Sequence, residues 1–270
     1  MCFVLSFGAP IESANRMEPT HRTIKIKLTI AYHGAHYNGW QTQKTGTGVQ
    51  SLVEACLKRL FPTAGPLCGS SRTDTGVHAL GMVAHVSLPT QARAMQPRKL
   101  RLAMNALLPS DIRVVSAARV PLKFHARYDA KRKQYRYLIW NHPAMNPLLV
   151  PLAWHVPVAL DLKAMQQASS HFLGTRDFKS VASNRNYAYE STTRTLTRCD
   201  VRRKGAALKV VIEGDGFLYK MCRGIVGTLV TVGKGKWEPE TIPSLLLERK
   251  RCLTGMNAPA HGLSLQKVFY

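Results

Sequence analysis

Carboxylates are scarce in this chain, which sets 15 Asp and Glu against 38 Lys and Arg over 270 residues, a formal net charge of +23. Such an imbalance goes beyond what solubility asks for and points to a polyanionic partner; the plainer alternative is a solvated surface with a large positive field. Long apolar runs are missing as well. No segment approaches the roughly 20 uninterrupted apolar residues of a membrane span, and the suggested helices carry no dense basic face for a membrane surface, so nucleic acid is the favoured partner. Paired cysteines are absent too: Cys2, Cys56, Cys68, Cys199, Cys222 and Cys252 lie far apart with no C-x-x-C spacing. That pattern excludes a tight extracellular disulfide framework and reads as reduced thiols in a cytoplasmic protein.

Several catalytic signatures are also lacking. There is no G-x-S-x-G for a serine nucleophile, and no thiol sits in a convincing electropositive loop apart from Cys222 beside Arg223. The stretch Gly227 to Lys236 resembles a phosphate-binding loop, but its first glycine gap is one residue too long and Gly235 replaces the hydroxyl that would hold magnesium. His33 and His36 form a close pair without a supporting carboxylate or Cys, so no metal site is expected. No short-period repeat or low-complexity segment occurs. Residues 1–22 open on a short apolar run with no basic residue before it, which fits a secretion signal poorly and reads as a flexible tail.

What is present is a mixture of strand and helix patterns. Ile24, Ile26, Leu28 and Ile30 alternate with polar residues as a half-buried strand, followed by a Gly-rich aromatic loop from His33 to Gln43. Thr47 and Gln50 have capping-box spacing before a helix carrying Val49, Val53, Cys56, Leu57 and Leu60. Strands are expected around Met82 to Leu88, Ile112 to Val120 and Tyr135 to Ile139, with a helix from Pro97 between the first two. Asp161 suits the cap of another helix that Gly174 ends. Residues 192–203 and 208–213 read as paired strands around Lys204 and Gly205, Phe217 to Val232 as a long helix, and Leu263 to Tyr270 as a closing strand. Strands neighbouring strands, with helices interspersed, favour an α+β fold with a largely antiparallel sheet. The Pro-rich stretch Pro143 to Pro157 marks the seam between a 23–147 half, holding Asp74, and a 148–270 half, holding Arg223.

The densest polar loop is SSRTDTGVHALG, Ser70 to Gly81, with one carboxylate, Asp74, flanked by Arg72, Thr73, Thr75 and His78. Taken alone it reads equally as an active site or as turn chemistry, with Asp74, Thr75 and Gly76 closing a type I turn. The wider chain breaks the tie. SRTDTGVHALGMVAH resembles the signature of the TruA family of tRNA pseudouridine synthases, usually GRTDxGVHAxGQVxHF. Further blocks follow in family order: Ile30 to Gln43, KFHARYDAKRKQYRYLIWN (Lys123 to Asn141), HFLGTRDFKSV (His171 to Val181), Gly214 to Lys236, and APAHGLSLQKVFY (Ala258 to Tyr270). The resemblance spans about residues 24–270. It departs from the usual pattern at Ser71, Met82, Arg176, Cys222 and Gly224.

The resemblance implies a pseudouridine synthase fold of two similar α/β halves sharing one sheet with a basic central cleft. It implies an isomerase converting uridine to pseudouridine at tRNA positions 38, 39 and 40 of the anticodon stem and loop, acting as a homodimer. It makes Asp74 the catalytic carboxylate, Arg223 its basic partner and Tyr135 the ring that stacks on the target base. Arg72 helps take the nucleotide out of the stack, and Leu265 gives apolar contact near the base. The chemistry breaks the bond from C1' to N1 and rejoins the base through C5, with nothing oxidised, so no cofactor or metal is expected. One carboxylate can serve as nucleophile or base, and a neighbouring cation favours its charged form. Each residue also has a plainer reading: Arg223 as a snorkelling helix residue, Tyr135 as strand core, Arg72 as surface charge. His78, Arg127, Lys133, Arg136 and Lys220 complete the expected RNA contacts, since the basic run from Arg127 to Arg136 is interleaved with tyrosines as a phosphate-tracking groove would be.

Overall fold

A computed structural model of the chain describes residues 23–43, 46–183, 190–248 and 255–270. The expected tail at 1–22, with Cys2, and Cys252 lie outside the described residues. Ten strands form one sheet, in the order β4-β1-β3-β10-β5-β9-β8-β7, with β2 (Cys68–Gly69) on β3 and β6 (Trp154–His155) on β5. The long members are β1 (Thr23–Tyr32), β3 (His78–Pro89), β4 (Ile112–Val120), β5 (Arg132–Trp140), β8 (Thr193–Lys204), β9 (Ala207–Gly214) and β10 (Leu263–Phe269), with a short β7 (Gly174–Asp177) at one edge. Among the described residues only β10 with β3 and β5 with β6 pair in parallel; the other pairings are antiparallel.

β1 shows why the sheet forms: its residues alternate between half-buried and buried along all ten positions, the mark of a strand with one face on a core. Ile26, Leu28 and Ile30 are at most 2% exposed, and burying such a side chain contributes about 1.5–3 kcal/mol. Five helices are described: α1 (Val49–Leu60), α2 (Pro97–Leu107), α3 (Leu162–Ser170), α4 (Met221–Gly233) and α5 (Thr241–Glu248). α2 packs on β4, and α3 on β8 and α4. No described helix is long and apolar enough to cross a membrane.

The two flanks of the sheet meet at β10, which joins β3 through just two parallel pairs, Ser264 with His78 and Leu265 with Ala79. β5 precedes the Pro143 to Pro157 stretch in the chain, yet it is hydrogen-bonded to β10 and β9. Two local expectations are corrected. Gly48, not Thr47, caps α1 without a side-chain bond, which puts Gln50 at the second helical position rather than the third of a capping box; its amide donates to Glu54 and to the Leu67 carbonyl. The long helix starts at Met221 rather than Phe217, since Lys220 ahead of it is left-handed at φ 58. Asp161 does cap α3, its Oδ1 accepting the Ala164 N–H at 3.0 Å.

Candidate active site

The Asp74 loop is an excursion from the sheet. β2 pairs Cys68 with His85 and Gly69 with Ala84, the chain then leaves the sheet through Ser71 to Val77, and it returns as β3. The Val77 N–H donates to the Asp74 carbonyl at 3.1 Å, and Gly76 between them has φ +79. A positive φ at the third position makes this a type II turn, not the expected type I, and it is the reason for Gly there. The aromatic loop after β1 forms the wall that holds it. Tyr32 Oη lies 2.8 Å from Thr73 Oγ1, the Trp40 N–H donates to the Thr73 carbonyl at 3.2 Å, and the Gly76 N–H donates to Tyr37 at 3.3 Å. A Cβ on Gly39, itself at φ +91, would lie 2.3 Å from the Thr73 carbonyl oxygen, so only glycine permits this approach.

The other wall comes from the far end of the chain. Arg223, in the first turn of α4, places Nη1 3.3 Å from Asp74 Oδ2, with side chains 14% and 19% exposed. Its Nε–H donates to the Ala258 carbonyl at 2.7 Å, and the Ala258 N–H donates back to the Arg223 carbonyl at 3.0 Å. The guanidinium is therefore aimed by the segment that leads into β10. Tyr135 rises from β5 with its hydroxyl 3.5 Å from Ser71 Oγ, a long contact, and its ring edge-on to Phe217 at 5.1 Å. Burial foremost, with Cys222 and Asp74 adding to it, raises the Tyr135 phenol well above its ordinary value. The phenol is thus neutral and is not a proton donor of the neutral range. Leu265 is register partner to both Tyr135 and Ala79 and is fully buried.

The Asp74–Arg223 pair and Tyr135, its hydroxyl beside Ser71, thus lie where two flanks of the sheet join. The sequence profile of the tRNA pseudouridine synthases matches residues 28–129 and 168–270, two stretches on either side of β5 and Tyr135. The chain belongs to this family. tRNA pseudouridine synthase A of Geotalea uraniireducens (strain Rf4) is 42% identical over 246 residues, 91% of this chain and 99% of that one. The enzyme of the same name from Acetivibrio thermocellus is 43% identical over 245 residues, again 91% and 99%. That of Methylacidiphilum infernorum is 38% identical over 247 residues, 92% and 96%.

Within this family member the remaining expected residues scatter. Arg72 is exposed beside the turn. His78 is 6% exposed; its Nδ1 accepts the Gly34 N–H at 2.9 Å, and its Nε2 lies 3.0 Å from the carbonyls of Pro151 and His261. That geometry fixes the Nε2–H tautomer, burial lowers the ring's proton affinity, and the side chain ties three segments together beneath the Asp74 loop. Lys133 shares the Tyr135 face of β5, whereas Arg136 points to the other face. Arg127 stands in the loop ahead of β5 over the Tyr128 ring at 5.8 Å, and Lys220 over Tyr219 at 5.1 Å. Sequence reasoning missed Ser71, Phe217, Gly39 and Arg194 as parts of the site's frame. The glycines and aromatics of the 33–43 loop were the one available signal, for Gly39.

One donor cluster has metal-like composition. Cys68 Sγ and one ring nitrogen each of His85 and His125 lie within 4.8 Å of one another. Yet His85 Nδ1 accepts the Ala126 N–H at 3.1 Å, and His125 Nδ1 accepts those of Arg127 and Tyr128 at 3.2 Å. Each neutral ring must then carry its proton on Nε2, the nitrogen left for a metal. The group fits a hydrogen-bonded brace instead, with His125 Nε2 3.5 Å from Cys68 Sγ. Burial first, then His125 and Lys25, push His85 down to about 4.

Proposed function

We propose that this protein isomerises uridine to pseudouridine at positions 38, 39 and 40 of the tRNA anticodon stem and loop, with Asp74 as the catalytic carboxylate. The observation that carries the reading is the Asp74–Arg223 pair, 3.3 Å apart with side chains 19% and 14% exposed. In the reaction the bond from C1' to N1 breaks, the uracil turns, and C1' bonds to C5; the C5 proton leaves and N1 gains one. Redox state is unchanged, so the chemistry calls for neither cofactor nor metal. Asp74 supplies the lone pair that the sugar or base requires, and Arg223 holds its carboxylate in place. Tyr135 offers a face for the flipped base, worth about 1–3 kcal/mol in stacking. Extruding the nucleotide costs a few kcal/mol, and the exposed Arg72 fills the vacated stack. Action in the cytoplasm as a homodimer on tRNA completes the proposal.

The test follows the C5 hydrogen. Unmodified tRNA carrying tritium at uridine C5 is expected to release label to water with the wild-type protein and to release none with Asp74→Asn, while both bind the RNA. Binding without release by the wild-type protein sinks the enzymatic reading and leaves an RNA-binding protein.

A further inference from the structure

Lys133 stands two residues before Tyr135 on β5, hence on the same face and about 6.7 Å along the strand. Its register partners bring no charge: Gly214 on β9 and Val268 on β10. Among the described residues, the charged groups that act on it are two cations, Arg127 from the loop ahead of β5 and Arg194 from β8. Arg194 is fixed in place, Nη1 donating to the carbonyls of Ser191 at 3.0 Å and Thr193 at 2.6 Å, beside the Gly216 turn that leads to Phe217. The carboxylates of the neighbourhood are engaged elsewhere. Glu213 lies on the opposite face with Arg132 and Gln134, Asp215 accepts the Thr195 N–H, Asp129 accepts the His125 N–H, and Asp74 faces Arg223.

We infer that Lys133, Arg127 and Arg194 form the seat of one RNA backbone phosphate, the one flanking the nucleotide that stacks on Tyr135. This rests on the tRNA-modifying reading of the site. A half-buried ammonium that feels two guanidiniums is poorly solvated and repelled, and an anion resolves both costs at once. The same environment, burial first and then Arg127 and Arg194, pushes the Lys133 amine down to about 8 in the free protein. Below that pH the seat presents three cations. Above it one is lost, and binding a phosphate must first recover a proton.

Binding of an unmodified tRNA transcript is measured at pH 7 and pH 9 in the Asp74→Asn background, where RNA is not consumed. Affinity is expected to fall about tenfold between the two, one pH unit above the Lys133 value, and to change less than about twofold in the Lys133→Arg variant. That variant also controls for ionisation of the RNA. At pH 7, Lys133→Ala and Arg194→Ala are expected to bind about tenfold more weakly with a shallower salt slope, by about 0.7 per lost contact. The seat is overturned by an equal pH effect in Lys133→Arg or by unchanged affinity and slope in the alanine variants. Absence of product from the wild-type protein would sink the proposed reaction alone, since the binding arm still reads the phosphate seat.

Discussion

Along β5, Lys133, Tyr135 and Tyr137 turn toward the side of the sheet that carries α4, while Arg132, Gln134 and Arg136 turn to the opposite side. The first face is largely buried and converges on Asp74 through Ser71 and Phe217. The second has its own closed network: Glu213, 7% exposed, accepts from Arg132 at 2.7 Å and Gln134 at 2.9 Å, and Arg132 also lies 4.9 Å from the Phe269 ring. One basic run in the sequence is therefore two surfaces. The Lys133 face is the one with the candidate chemistry, and the opposite face ties Arg132 and Gln134 of β5 to Glu213 of β9.

Mutations can break this comparison, beginning with the largest effect. Asp74→Asn is expected to lower pseudouridine formation by about a thousandfold or more, some 4 kcal/mol of barrier, with RNA affinity within about twofold; a variant that keeps a tenth of the rate would remove Asp74 from the chemistry. Glu213→Ala on the opposite face should reverse the pattern. It is expected to cost about 1–3 kcal/mol of stability in denaturant unfolding by stripping a buried acceptor from two donors, with kcat unchanged. His85, on that same opposite face opposite Lys27, sharpens the picture by pH. Its folded value near 4 lies below the ordinary 6.5, so the unfolded chain binds the proton first. Its contribution is intact above about pH 6.5 and is lost as pH falls toward 4, by about 2 kcal/mol. Unfolding curves at pH 7 and 4.5 should show that loss reduced in His85→Asn. The smallest effect is expected from Arg136→Ala, which should weaken tRNA binding less than Lys133→Ala does; the reverse order would merge the two faces into one RNA surface.

Much of the fold was legible because it depends on local periodicity. β1 could be read from four isoleucine and leucine positions at period two, and the β8–β9 hairpin from Lys204 and Gly205, the latter at φ +58. The start of α4 was not legible: the apolar spacing continues back to Phe217, while the left-handed Lys220 that stops the helix leaves no periodic trace. The centre of the candidate site was reached through motif resemblance, for Asp74 and Arg223 are 149 residues apart and only the β3–β10 junction brings their segments together. Arg194 was invisible for the same reason, since its place beside Lys133 depends on the register of β8 and β9 and on a bulge between Leu196 and Arg198. His78 shows the converse. Its position in the signature suggested a hand on the RNA, whereas the structure gives both ring nitrogens backbone partners.

The most direct measurement is a position-resolved map of pseudouridine in an unmodified tRNA set after incubation with the wild-type protein. The account predicts new pseudouridine at positions 38, 39 and 40 wherever uridine stands there, and none at those positions with Asp74→Asn. Conversion confined to other parts of the tRNA, or equal conversion by the two proteins, would contradict it.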